Sequence, residues 1–229
     1  KSKKILICGV DGSGKSTLSK LILNDLQWKL DTSRLYLGAG DGEGFIIRRL
    51  GTYLSKIIFK DSTQTRTQEI NTNKSIYNLK NILRIFWALI VAFEKLLKYI
   101  ELKKLTLLGK IIILDRYPNL NSYGMNDSPL LSRFNGNKNI IIKLLIKLEH
   151  SIYSLYSKNI SVDLCIKLDA SYSLVTRRGE KMAESYYKKR LNSLEQAINS
   201  SRIEKIVTIN AERSLQELKS ECISEILNS

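Results

Sequence analysis

Nine residues near the start of the chain limit its fold more than any others. Gly9-Val10-Asp11-Gly12-Ser13-Gly14-Lys15-Ser16-Thr17 follows the apolar run Ile5-Leu6-Ile7-Cys8 and precedes a helical pattern. The spacing is G-x-x-x-x-G-K-S, and strand, glycine loop and helix is the context in which it cradles phosphate. The glycines let backbone N–H groups turn inward as an anion-binding nest. Lys15 can set a point charge against outer phosphates, and the Ser16 hydroxyl can ligate Mg²⁺. A helix starting near Lys15 points its positive end at the same anion. Gly9, Asp11, Gly12, Ser13, Gly14, Lys15, Ser16 and Thr17 are the candidate phosphate-binding set. The plainer reading, a glycine turn carrying a surface lysine, leaves the preceding strand unexplained.

The rest of the chain alternates strand and helix. Residues 3–9 read as the first strand. Residues 15–30 read as a helix with Leu18, Leu21, Ile22 and Leu26 on one face. A short strand at Arg34–Leu37 ends in the glycine-rich, acidic stretch 38–44, at a strand end where open α/β sheets bind ligands. That stretch reads either as a substrate loop or as a plain connection. A helix over 45–60 and a polar segment over 61–73 follow. Next comes a long helix in which Ile76, Leu79, Leu83, Phe86, Ile90, Phe93, Leu97 and Ile100 alternate spacings of three and four. Such a seam needs cover from the domain's own core, a second subunit or a membrane surface.

Ile111-Ile112-Ile113-Leu114-Asp115 reads as a buried parallel strand that delivers a carboxylate to its C-terminal end. A loop spans 117–139. The helix over 140–157 places Ile141, Leu144, Leu145, Leu148, Ile152 and Leu155 on one face. His150, the sole histidine, reads as an ordinary residue of that helix. Strands at 161–168 and 204–209 and helices at 171–178, 182–199 and 213–228 complete the chain. This alternation demands a parallel sheet covered on both faces, an α/β fold.

The 229 residues, 43% of them hydrophobic, suffice for one domain over 1–229 with a helical region at about 45–108. The net charge of +15 admits an anionic partner. It is also what abundant solvated lysines produce, and no basic segment is interleaved with aromatics as nucleic-acid platforms are. Cys8, Cys165 and Cys222 are scattered without metal-like spacing, which points to a reducing, cytoplasmic setting. No signal peptide precedes the first strand, and the longest apolar run, Ile85–Phe93, is too short to span a bilayer.

Three segments together resemble the thymidylate kinase family of P-loop nucleoside monophosphate kinases. The first is the glycine loop with its extra Asp11. The second is Asp115-Arg116-Tyr117, similar to the family's D-R-Y signature. The third is Arg177-Arg178-Gly179-Glu180, similar to the start of its lid. The resemblance implies a five-stranded sheet in the order 2-3-1-4-5 and a lid at about 177–190. It also implies ATP as donor, Asp115 with Ser16 at Mg²⁺, Arg116 on the acceptor phosphate and Arg177 and Arg178 over the transferring group. Lys15, Asp11, Arg116, Arg177 and Arg178 are thus the candidate catalytic set. Arg84 is the candidate for the family's arginine on the long helix.

The chain departs from the family at 38–44, which lacks the Glu-Pro-Gly-Gly segment, and around Met125-Asn126-Asp127. It more closely resembles thymidylate-kinase-like proteins encoded with bacterial surface-polysaccharide genes. The expected activity is transfer of the γ-phosphoryl group to a nucleoside monophosphate, dTMP-like by resemblance. A hydroxyl acceptor, such as a sugar or nucleoside, is the alternative. It would need a carboxylate base, for which Asp11, Asp41, Glu43 and Asp115 are available. A non-kinase ATPase or nucleic-acid switch is the third reading. Against it, Asn73-Lys74-Ser75-Ile76 and Asn137-Lys138-Asn139-Ile140 lack the Asp of a guanine signature. A homodimer through the 76–100 seam is the expected assembly.

Overall fold

The computed structural model describes residues 2–38, 79–116, 120 and 128–229. Five parallel strands form one sheet: β1 (Lys3–Gly9), β2 (Thr32–Tyr36), β3 (Ile111–Asp115), β4 (Ser161–Asp169) and β5 (Arg202–Asn210). Their order is β2-β3-β1-β4-β5, as the resemblance implied. The helices are α1 (Lys15–Leu26), α2 (Leu79–Leu107), α3 (Ile140–Asn159), α4 (Tyr172–Arg177), α5 (Glu184–Asn199) and α6 (Leu215–Asn228). A 3-10 turn at Leu131–Phe134 lies in what reads as featureless loop from sequence.

The pleat explains why β1 is apolar from Ile5 to Cys8. Side chains alternate faces, so a strand covered on both sides needs an apolar residue at every position. Ile5 and Ile7 pack with Leu18, Ile22 and Leu26 of α1 and Leu218 and Ile226 of α6. Leu6 and Cys8 face the other way, with Leu102 of α2, Tyr156 of α3 and Leu194 and Ile198 of α5. The register sets Ile7 opposite Asp115 and Tyr36 opposite Asp115. The glycine loop, the Asp115 carboxylate and the end of β2 therefore share one edge, where ligands bind open α/β sheets.

Two helix faces differ from the sequence reading. On α2 the buried positions are Asn81, Ile85, Ala88, Val91, Ala92, Lys95 and Leu102. The apolar seam is not the core face: Phe86, Phe93 and Ile100 are 54%, 52% and 56% exposed. Spacing alone selected the bulkiest stripe. The buried stripe instead carries small alanines and two polar side chains whose ends find partners: Ile85 and Ala88 pack with Leu131 and with Ile142 of α3, and Leu102 packs against the sheet. On α3 the reading was half right: Ile152 is buried, but Ile141, Leu144 and Leu148 are exposed. Ile142, Glu149, Tyr153 and Tyr156 are buried in their place. The Glu149 carboxylate accepts from the Leu130 and Leu131 N–H groups at 2.8 Å each, and Ser132 bonds His150 at 2.9 Å. That clamp fixes the 3-10 turn. Burial pushes the Glu149 carboxyl above its usual range, although the two N–H bonds pull it back.

Candidate active site

The loop after β1 has the backbone that anion binding needs. Gly12 and Gly14 lie at φ 80° and 92°, in the left-handed region open to glycine. Space adds a second constraint at Gly12, where a Cβ would come within 2.8 Å of the Glu180 side chain. No side chain caps the start of α1, so its first-turn N–H groups are left to a bound anion. Ser13 is buried and its hydroxyl has no partner among the described residues.

Three cations converge on one carboxylate at this loop. Lys15 Nζ lies 3.1 Å from Asp11 Oδ1, Arg116 Nη2 3.4 Å from the same oxygen, and Arg190 Nη1 2.6 Å from Asp11 Oδ2. Burial pushes the Asp11 carboxyl up, but Lys15, Arg190 and Arg116 outweigh it and hold it below the usual range. Arg116 reaches this point from a left-handed backbone at φ 67°. That conformation costs a non-glycine residue about 1–3 kcal/mol and clusters at functional sites. Its guanidinium also lies over the Tyr36 ring, 5.7 Å from the centroid. Gly38 makes room, since a Cβ there would sit 2.5 Å from Arg116 Cδ.

A second network lies behind the loop. Asp115 is fully buried, and Arg34 Nη2 donates to its Oδ2 at 2.5 Å. Arg34 Nε donates to the Ser19 hydroxyl at 2.8 Å. Ser19 in turn lies 3.2 Å from Asp115 Oδ2 and 3.0 Å from the Ser16 carbonyl. Asp115 Oδ1 is buried without a partner among the described residues. Ser16 and Asp115, the two residues read as metal ligands, are thus linked through Ser19.

The two arginines that the resemblance assigns to a lid divide. Arg178 donates to the Gly12 and Ser13 carbonyls at 3.1 and 2.8 Å and to the Ala211 carbonyl at 3.1 Å. These carbonyls are the reverse side of the peptides whose N–H groups form the nest, so Arg178 stiffens the loop from behind. Arg177 is exposed and makes no hydrogen bond or ion pair among the described residues. Thr17 is exposed on α1. Tyr117, Asp41, Glu43, the 39–44 stretch and the 45–60 helix lie outside the described residues.

Sequence reading missed Arg190, Arg34 and two lysines. Arg190 also contacts Tyr186, with the guanidinium 5.3 Å from the ring centroid. The spacing of Tyr186, Tyr187 and Arg190 on one helix was the available signal. Lys95, buried, donates to the Leu37 carbonyl, and Lys98 donates to the Tyr36 carbonyl at 2.5 Å. Both fix the end of β2. Arg84 donates to Asn81 Oδ1 at 3.1 Å. A cavity of about 40 Å³ adjoins the loop, bordered by Asp11, Lys15 and Arg116 and by Cys8, Leu194 and Ile198.

The sheet order and the glycine loop after its central strand are those of a P-loop fold of the thymidylate kinase type. The structure superposes on thymidylate kinase from Ehrlichia chaffeensis with a TM-score of 0.51 and 16% identity, covering 100% of this chain and 99% of that one. No family model matches the chain. Among curated proteins it is similar to the uncharacterized ATP-binding protein YghS of Escherichia coli K12, 28% identical over 153 residues. That alignment covers 65% of this chain and 62% of YghS. It is also similar to the uncharacterized ATP-binding protein YghR of the same strain, 27% identical over 122 residues, covering 50% of this chain and 44% of YghR. The chain therefore aligns with about half to two thirds of the length of these relatives.

Proposed function

We propose that the chain binds ATP at Gly9–Thr17 and transfers its γ-phosphoryl group to an acceptor that is itself a phosphate, in the manner of a nucleoside monophosphate kinase. The observation that carries this reading is the meeting of Lys15, Arg116 and Arg190 on Asp11 beside an uncapped helix start. Phosphoryl transfer asks the protein for positioning and positive charge more than for covalent chemistry. Lys15 serves the donor phosphates and Arg116 the acceptor. Arg190 supplies charge to the transferring group, with Arg177 free to join it; in the present geometry Arg178 braces the loop. The ATP-binding names of the two Escherichia coli relatives and the fold of the Ehrlichia enzyme support the reading.

The residues present fit Mg²⁺. The buried Asp115 Oδ1 has no partner among the described residues, and Ser16 lies in the first turn of α1, next to Lys15. Together they would hold the ion, which would neutralise charge between the phosphates when bound.

Among the candidate bases that lie within the described residues, Asp11 and Asp115, the contacts favour a phosphate over a hydroxyl acceptor. A hydroxyl needs a base, and Asp11, held ionised by three cations, has little affinity for a proton. Asp115 is likewise committed to Arg34. A monophosphate needs no base, and dTMP is the acceptor to try first. Titration of Mg-ATP into wild type and Lys15→Ala by calorimetry tests the donor site. Binding lost or strongly weakened in the variant is expected, and equal affinity would sink it.

We further propose a homodimer through the exposed α2 seam, whose Phe86, Phe93 and Ile100 lack cover among the described residues. No helix among the described residues is long and apolar enough to cross a membrane. Three buried free cysteines suit a cytoplasmic protein.

A further inference from the structure

We propose that Arg34 and Ser19 are positioning residues that hold the Asp115 carboxylate in one orientation, with Oδ2 occupied and Oδ1 kept for a metal shell. The inference rests on the donor-site reading above and deepens it. A carboxylate has two chemically equivalent oxygens. Here the two are made unequal. Oδ2 takes a charged bond from Arg34 at 2.5 Å and lies 3.2 Å from Ser19, while Oδ1 has no partner among the described residues. The Arg34 contact fixes the rotation of the group. A guanidinium suits this because it can bind two acceptors in one plane, here Asp115 through Nη2 and Ser19 through Nε.

The network also couples the two metal-side residues. Ser19 has one hydroxyl proton, which serves either the Ser16 carbonyl or Asp115. It accepts from Arg34 in both cases. The start of α1, which presents Ser16, and the end of β3, which presents Asp115, are thereby referenced to one residue of β2. Arg34 is 18% exposed at its side chain and pairs with a fully buried partner, so the arrangement is no loose surface contact. Supporting groups of this kind are worth roughly ten- to a hundred-fold in metal affinity.

The test uses Mn²⁺ as probe, read by loss of the free-ion paramagnetic resonance signal, with the full chain and saturating ADP. ADP binding is measured in parallel with chelator present. Arg34→Lys keeps the charge and loses the fork. Arg34→Gln loses the charge, and Ser19→Ala removes only the hydroxyl. The expected result is Mn²⁺ affinity about ten-fold weaker in the Arg34 variants and less so in Ser19→Ala, with metal-free ADP affinity unchanged. If Arg34→Gln does not fold, the other two variants decide. Wild-type Mn²⁺ affinity in those variants, or a parallel loss of metal-free ADP binding, overturns the inference. A wild-type chain that binds neither ADP nor Mn²⁺ overturns the donor-site reading itself.

Discussion

Arg190 and Asp11 lie at opposite ends of the chain and meet at 2.6 Å, α5 handing its guanidinium to the glycine loop. The contact places a third positive charge beside Lys15 and Arg116. If that charge serves the transferring phosphoryl group, Arg190→Ala loses turnover and keeps ATP binding. The expected loss is about 10³-fold in kcat, the lower end for an arginine supplying transition-state charge. Steady-state kinetics beside a nucleotide titration reads both numbers, and turnover within a few-fold of wild type removes the role.

Asp11 occupies cations that phosphates also seek. In Asp11→Asn those cations lose their internal partner, so inorganic phosphate should raise the melting temperature more in the variant than in wild type. The pH dependence follows from the same contacts. The folded-state pKa of Asp11 is lowered from its ordinary 3.8. Its stabilising effect is therefore present above that value and lost as pH falls through the folded-state pKa. Melting curves across the acid range should fall less steeply for Asp11→Asn than for wild type. Identical acid limbs would show that the three ion pairs contribute nothing.

Much of this site is visible in the sequence, and the part that is not has a physical reason. The glycine loop is local: its residues are contiguous, and each follows from backbone geometry or charge. Asp115 is legible because four apolar residues in a buried parallel strand must end at the ligand edge. The strand order came from resemblance and agrees with the observed sheet. Arg190 and Arg34 were not legible, because each acts across the fold on a carboxylate far away in sequence. Arg178 was read as a lid residue from its position, yet three carbonyls determine where its guanidinium goes. The α2 seam misled because periodicity finds an apolar face without saying what covers it.

Arg178 is expected to matter for the loop's rigidity. Its three bonds to carbonyls are partly exposed, so Arg178→Ala should cost about 1 kcal/mol of stability. ATP affinity should fall with it, since the Gly12 and Ser13 peptides lose their rear support. A shift in the urea midpoint at unchanged slope, measured beside a nucleotide titration, checks both. An unchanged midpoint and affinity would leave Arg178 without a bracing role.

The exposed α2 seam gives a prediction about assembly. Light scattering at micromolar concentration should return a dimer mass for wild type. Phe86→Glu combined with Phe93→Glu should return a monomer of unchanged helix content, because neither side chain belongs to the buried set. A monomeric wild type would contradict the proposed dimer.

The central claim is that the loop at Gly9–Thr17 donates a phosphoryl group rather than releasing it to water. Phosphorus NMR of the wild-type chain with Mg-ATP and a panel of nucleoside monophosphates, dTMP among them, tests it most directly. The account predicts ADP in step with a new diphosphate signal, dependent on the added acceptor and abolished by Lys15→Ala. ADP accumulating with inorganic phosphate whether or not an acceptor is present would contradict it.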